Sequence, residues 1–421
     1  MTGTRGATDV QDVSGARHDR PIRLLVFTSL YPNAEQPRHG VFVEERLRHL
    51  VDSGRIAATV VAPVPWFPSR HPRFGAYARS ARVPRCEERF GIRTLHPRYP
   101  VIPKLGMNFA SWLMYRTLLP CLRRLLRADP GYDLIDAHYL YPDGVAAVAL
   151  GQRLGRPVVM TARGSDVTLI PRYRNPRRQI LRAVAGSAAV VTVSHALRSQ
   201  LIALGVAAGH VSVLRNGVDL ERFRPMSASA LRAKLNLHTP VWLTVGNLIE
   251  LKGVHLVIAA LAQVPEATLM VAGGGPEEQH LRDLAHRAGV DGRVRFLGVV
   301  AHAELPAYYS AADVMLLASS REGMPNVVLE SLACGTPVVA TPFAGVDELV
   351  NAPEAGEVAE ARTAEAIMSA WQRLWARRPE RAATRRFAEQ LGWEPVVEAQ
   401  YALYAKVLAA KVRGPRTGET A

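Results

Sequence analysis

The sequence predicts an α/β protein made of two Rossmann-like, doubly wound domains. Three observations carry that prediction. A chain of 421 residues outgrows one ordinary hydrophobic core, so two cores of roughly 200 residues each are expected. Short apolar runs alternate with amphipathic stretches along both halves, the pattern of strands and covering helices in a parallel sheet. Glycines or polar residues follow the apolar runs, where the carboxyl ends of parallel strands line a ligand crevice.

Residues 1–20 are polar and expected to be disordered, and order is expected from Pro21. Ile22–Thr28 is a short strand, followed by a Pro/Asn/Gly loop over Ser29–Gly40, a helix over Val41–Val51 and a strand over Ile56–Ala62. This start lacks the GxGxxG phosphate fingerprint. Gly40 is then either the small residue at which backbone approaches a diphosphate or a plain helix-entry turn. Val64–Pro103, rich in Pro, Arg and aromatics, reads as a long irregular excursion of the kind that carries function. Met107–Arg127 reads as a helix with apolar Phe109, Trp112, Leu113, Leu119, Leu122 and Leu126 among Arg116, Arg123, Arg124 and Arg127. Such a helix either lies on an anionic membrane or packs into the core with a solvated basic face. Strands over Tyr132–Ala137, Pro157–Ala162 and Val190–Val193 deliver His138, Arg163 to Asp166, and Ser194-His195 to one edge, as a cleft requires.

Val211–Leu214 leads into the turn Asn216-Gly217-Val218-Asp219, and Met226–Thr239 is a linker. A second alternation follows: strand Val241–Gly246, helix Val254–Ala262, strand Thr268–Ala272, helix Glu277–Ala288 and strand Val294–Leu297. Gly246 and Asn247 leave the first of these strands, and Lys252 beside a helix start suits neutralisation of a diphosphate. Asp313–Ala318 is a buried strand, Pro325 and Gly335 bracket a short helix, and Pro337–Ala340 resumes as a strand. Thr363–Arg377, Glu380–Leu391 and Trp393–Val412 are helices, the last with the stripe Trp393, Val396, Val397, Tyr401, Tyr404 and Leu408. Residues 413–421 are expected to be disordered.

The chemistry is placed at Arg321–Pro337. Glu322 sits in a polar loop beyond a strand, and Glu330 about one turn inside the next helix. Free N–H groups lie between them, at Asn326 and Val327. A carboxylate accepts from two vicinal hydroxyls and a helix start favours anions, so the arrangement suits a sugar nucleotide.

Composition narrows the partners. Hydrophobic residues at 48% with 21% charged describe a globular protein in water, and a formal charge of +15 asks for an anionic partner: nucleic acid, anionic lipid or a phosphorylated substrate. Cys86, Cys121 and Cys334 are odd in number and far apart, giving no disulfide framework or CxxC metal pair, which fits a reducing cytosol. No secretory signal is visible, and the longest apolar stretch, Leu105–Leu122, is interrupted by Arg116, so no spanning helix is expected.

Two glutamates with seven residues between them, followed by Ala333-Cys334-Gly335-Thr336-Pro337-Val338-Val339, resemble the retaining glycosyltransferases of family 4. The resemblance spans roughly residues 21–391, through Asn216–Asp219, Gly246–Gly253 and above all Glu322–Thr341. It implies the glycosyltransferase B (GT-B) architecture: an acceptor-side domain over 21–215, a hinge over 216–240, a donor-nucleotide domain over 241–392, and a final helix over 393–412 that packs back on the first domain. It also implies a hexosyltransferase that moves sugar from a nucleoside diphosphate donor with retention, without cofactor or catalytic metal. Glu322, His138 and Arg163 would be catalytic; Glu330, Lys252, Asn247, Gly40, Gly246, Asn326 and Val327 would bind the donor. Two positions depart from the family. Arg163 stands where many members carry histidine, so it would bind a phosphate or a carboxylate-bearing sugar, and Asn247 replaces a usual arginine. Likeness to teichuronic-acid and exopolysaccharide transferases implies a polyprenyl-linked saccharide acceptor, an anionic membrane surface and no nucleic acid, for a cytoplasmic protein peripheral on the membrane. The rivals are a sugar-nucleotide epimerase of the same architecture and a non-enzymatic basic binder of lipid or nucleic acid.

Overall fold

A computed structural model describes residues 20–101, 106–237 and 239–412. The ends expected to be disordered lie outside the described residues, apart from Arg20, whose guanidinium binds Asp133 at 2.7 and 2.9 Å. The described chain therefore starts one residue before Pro21.

The first sheet has eight strands: β1 (Ile22–Phe27), β2 (Ile56–Val61), β3 (Cys86–Arg89), β4 (Ile92–Leu95), β5 (Leu134–His138), β6 (Val158–Ala162), β7 (Ala189–Thr192) and β8 (Val211–Val213). Their spatial order is β8-β7-β6-β5-β1-β2-β4-β3, parallel except for β3 against β4. Both faces are covered, so the strands read as continuous apolar runs; Leu25 and Phe27 enter one core and Leu24 and Val26 the other. Around the sheet lie α1 (Val41–Asp52), α2 (Gly106–Ala128), α3 (Arg174–Gly186) and α4 (His195–Ala203).

The second sheet has six parallel strands: β9 (Val241–Val245), β10 (Thr268–Ala272), β11 (Val294–Gly298), β12 (Val314–Leu317), β13 (Val338–Ala340) and β14 (Gly356–Val358). Their order is β11-β10-β9-β12-β13-β14. Helix α5 (Asn326–Ala333) joins β12 to β13; Pro325 sits just before it and Gly335 closes it at a φ of 73°. The chain crosses between domains twice, side by side, with the Val218 N–H donating to the Leu391 carbonyl at 2.9 Å. The last helix, α6 (Trp393–Val412), then lies on the first domain, where Val397, Tyr404 and Val407 join the core of Val26, Val43 and Leu47.

Four expectations need correction. The supposed irregular excursion from Val64 contains β3 and β4; the alternation of buried Ile92 and Thr94 with half-buried or exposed neighbours is too short to read as a strand by itself. In α2 the buried stripe is Met114, Leu118 and Leu122, while Phe109 and Trp112 are 52% and 57% exposed. Helix Leu305–Ala311 and strand β14 had no counterpart in the sequence reading, being seven and three residues long. In α6 Gln400 and Val407 are buried, and Tyr401 and Leu408 only half-buried. Among the described residues no helix is long and apolar enough to cross a membrane.

Candidate active site

Each sheet reverses its strand order beside its first strand: between β1 and β5 in one, between β9 and β12 in the other. Loops leaving the carboxyl ends at such switch points form ligand crevices. Here the two crevices face each other. Gly323, in the loop after β12, lies so close to the Arg163 carbonyl and Gly164, after β6, that a Cβ at 323 would collide with that backbone.

On the second domain, the loop after β12 returns Glu322 toward Lys252, whose Nζ lies 2.6 Å from Glu322 Oε1. Ser319 Oγ donates to the same oxygen at 2.6 Å. Behind this pair starts α5, whose first N–H groups, Asn326 and Val327, have no partner within the helix. Glu330 is buried one turn further on. Tyr309 donates to its Oε2 at 2.8 Å and His302 Nε2 to its Oε1 at 3.0 Å. His302 Nδ1 lies 3.3 Å from Glu45 Oε1, contributed by α1 across the cleft, and Arg222 Nη1 is 3.3 Å from the same oxygen. Burial opposes a charge on His302, but its hydrogen bond to Glu330 and the charges of Glu330 and Glu45 outweigh it and raise its pKa. Burial likewise pushes the Glu45 carboxyl up, with His302 pulling it back.

On the first domain, β5 ends in His138, which is 3% exposed with both ring nitrogens engaged. Its Nε2 is 3.1 Å from Asp136 Oδ2, and its Nδ1 is 2.8 Å from Arg163 Nη2. Arg163 Nη1 donates to Asn216 Oδ1 at 3.1 Å, and Asn216 Nδ2 donates to Asn326 Oδ1 at 2.8 Å. Burial and nearby Arg46 lower the Arg163 pKa to about 9, which leaves it a cation at neutral pH. The guanidinium thus stands two hydrogen bonds from the start of α5.

Residues 40–222 match the family model described as Glycosyltransferase Family 4, and residues 229–391 that of glycosyl transferases group 1. A putative teichuronic acid biosynthesis glycosyltransferase, TuaC, of Bacillus subtilis strain 168 is 32% identical over 336 residues, 78% of this chain and 83% of that protein. The chain belongs to glycosyltransferase family 4. The family 4 chain also has the GT-B fold expected of it. It superposes on sucrose-phosphate synthase from Thermosynechococcus elongatus with a TM-score of 0.74 at 22% identity, over 93% of this chain and 100% of that one. Anabaena HepE in complex with UDP-glucose gives a TM-score of 0.65 at 20% identity, over 92% and 99%.

In this glycosyltransferase Lys252 pairs with Glu322 in the loop that runs into α5, Asn326 and Val327 open that helix, Glu330 lies within it with its carboxylate on Tyr309 and His302, and Arg163 is linked to Asn326 through Asn216. Asn247 is exposed on the loop after β9, next to Gly246 with its φ of 148°. His138 stands behind Arg163. Gly40 begins α1 at a φ of 75° with the Leu30 carbonyl against it, so the helix entry alone accounts for a glycine there. The expected cleft role of Ser194-His195 is not what the geometry gives. Ser194 caps α4, and the His195 and Ala196 N–H groups donate to Glu348 of the second domain at 3.0 Å each, closing the interface. The sequence reading gave no role to Glu45, His302 and Tyr309. Glu45 sits among charged neighbours that look like a solvated helix face, and only pairing across the domains reveals it.

Proposed function

We propose that this glycosyltransferase moves a sugar from a nucleoside diphosphate donor, with retention, to a lipid-linked saccharide at an anionic membrane, in the synthesis of a cell-surface polymer. The observation that carries the reading is the Lys252–Glu322 pair in the loop before α5, with Arg163 of the other domain joined to the first residue of that helix through Asn216. A diphosphate entering there exchanges Glu322 for phosphate as the partner of Lys252. Glu322 is then free to accept a hydroxyl of the transferred sugar. As the glycosidic bond breaks, charge builds on the diphosphate, and Lys252, the nearby Arg163 cation and the α5 N–H groups would stabilise it. Glu330 takes the ribose hydroxyls. HepE binds UDP-glucose and TuaC is named for teichuronic acid synthesis, which supports a nucleotide sugar and an envelope polymer as substrate and product.

The membrane part rests on α2 and α3. Met107, Phe109 and Trp112 are exposed at the start of α2, with Arg116 5.9 Å from the Trp112 ring, and Arg174, Arg177, Arg178 and Arg182 are exposed on α3. The Tyr141 hydroxyl donates to the Met107 carbonyl, tying this patch to the segment that follows His138. Aromatic side chains beside arginines suit the headgroup layer, and each basic residue contributes about 1 kcal/mol near an anionic surface.

A panel of UDP-, GDP- and ADP-sugars tests the donor. One of them raises the melting temperature and, with a polyprenyl-linked acceptor, yields a product of unchanged anomeric configuration by proton NMR. An inverted product, or donor turnover without acceptor, overturns the reading. Sedimentation with vesicles rises with anionic lipid, falls with salt and weakens in Trp112→Ser; equal binding to neutral and anionic vesicles removes the membrane from the proposal.

A further inference from the structure

Asp136 lies in the interior of the first domain, 1% exposed, where a carboxylate persists only with donors around it. Two reach its Oδ2: the Tyr404 hydroxyl from α6 at 2.8 Å and His138 Nε2 at 3.1 Å. Donor and acceptor roles along the line then follow one after another. Arginine only donates, so the contact between Arg163 Nη2 and His138 Nδ1 requires a lone pair on Nδ1. The imidazole proton therefore sits on Nε2 and points at Asp136. The other arm of Arg163 donates to Asn216, which donates to Asn326 at the start of α5.

We propose that Tyr404 and Asp136 are positioning residues for the transferase. They hold His138 in the Nε2–H tautomer, His138 in turn fixes the Arg163 guanidinium, and the final helix thereby sets the geometry of a cation at the donor site. The inference rests on the reading of Arg163 as a donor-facing cation. It gives α6 a part in the chemistry beyond covering the first sheet.

The surroundings of His138 fit the role. It faces Asp136 on its own strand, Arg163 from β6 and Arg46 from α1. Arg46 is itself 1% exposed and donates to Gln400 of α6 at 2.8 Å. Burial holds the His138 pKa below its ordinary range, with Arg163 and Arg46 helping against the pull of Asp136. Nδ1 thus keeps its lone pair through neutral pH. Protonation would turn that acceptor into a donor facing a guanidinium, which breaks the contact and adds repulsion.

Tyr404→Phe removes one oxygen and leaves the ring. Asp136 then pulls harder on the imidazole, so the His138 pKa rises. The acid limb of kcat/KM moves up by about one pH unit, the equivalent of one ordinary hydrogen bond, and donor KM rises more than kcat falls. In His138→Asn, whose amide oxygen can accept from Arg163 and does not titrate, the acid limb disappears whatever the residual rate. Nitrogen-15 chemical shifts of His138 in the unaltered protein report the Nε2–H tautomer without any variant. The proposal is overturned by an Nδ1–H tautomer, by an acid limb that persists in His138→Asn, or by a Tyr404→Phe protein that melts lower with an unchanged pH profile. Arg163→Ala separates the two levels. An unchanged donor KM there sinks the donor-facing reading, whereas a raised donor KM with an unaltered Tyr404→Phe profile sinks only the role of Tyr404 and Asp136.

Discussion

Replacing Glu330 with glutamine keeps the side chain's shape and removes its charge. The carboxylate accepts from Tyr309 at 2.8 Å and from His302 at 3.0 Å, and a glutamine can still meet both, with its oxygen on His302 and its amide on the tyrosine oxygen. What is lost is charge assistance: roughly 1 kcal/mol for each bond, the gap between a hydrogen bond to an ion and a neutral one. Folding stability should therefore fall by about 2 kcal/mol while the fold survives. The two ribose hydroxyls of a bound donor lose assistance in the same way, and about 1.4 kcal/mol of it weakens nucleoside diphosphate binding tenfold. Isothermal titration with the free nucleotide measures that loss, and melting curves across pH measure the other. Glu330 is the leading cause of the raised His302 pKa, so folding gains stability from His302 that is complete below the ordinary value of 6.5 and lost as pH rises through the raised pKa. The stability gap between the unaltered protein and Glu330→Gln is accordingly widest at the acid end of that window and narrows above it. Unchanged nucleotide affinity, or a gap that does not depend on pH, would refute the reasoning.

If, as proposed, both cations serve one diphosphate in a closed cleft, Lys252→Ala and Arg163→Ala each lower kcat/KM and combined cost less than the sum of the two; additive losses would assign Arg163 to the acceptor. Asp143→Asn tests a buried acid. Burial pushes the Asp143 carboxyl up to about 7, and Ser29 donates to it at 2.8 Å. Its folded pKa is raised, so the stability it contributes is present below the unfolded value of 3.8 and lost as pH climbs through about 7. The asparagine never ionises, so its melting temperature should rise relative to the unaltered protein between pH 5 and pH 8, and a constant difference would show that Asp143 does not titrate there.

The second-domain half of the candidate site was legible because its parts are local. Lys252 and Glu322 lie in the loops that leave β9 and β12, Glu330 lies in the helix that follows, and Pro325 and Gly335 bracket that helix. What the sequence hides is pairing across distance. Glu45 meets His302 only because two domains face each other, and Tyr309 belongs to a helix too short to show periodicity. Phe109 and Trp112 look like core residues by type, yet burial in α2 follows Met114, Leu118 and Leu122 at four-residue spacing, and the aromatics fall outside that stripe. His138 and Arg163 were found as strand ends, but their contact with each other, and through Asn216 with α5, needed the structure.

The return of α6 also has a consequence for how the protein is made. Tyr404 reaches Asp136 across 268 positions of chain, so a ribosome completes the entire second domain before the first receives its last helix. During that interval Asp136 lacks one of its donors, Arg46 lacks Gln400, and the apolar face of Val26, Val43 and Leu47 stands uncovered. The first half cannot finish folding as it emerges. Cutting the gene between the two sheets therefore yields a first half with an open groove and a second half trailing a helix that belongs elsewhere, and loss of the twenty-residue α6 harms the domain made first.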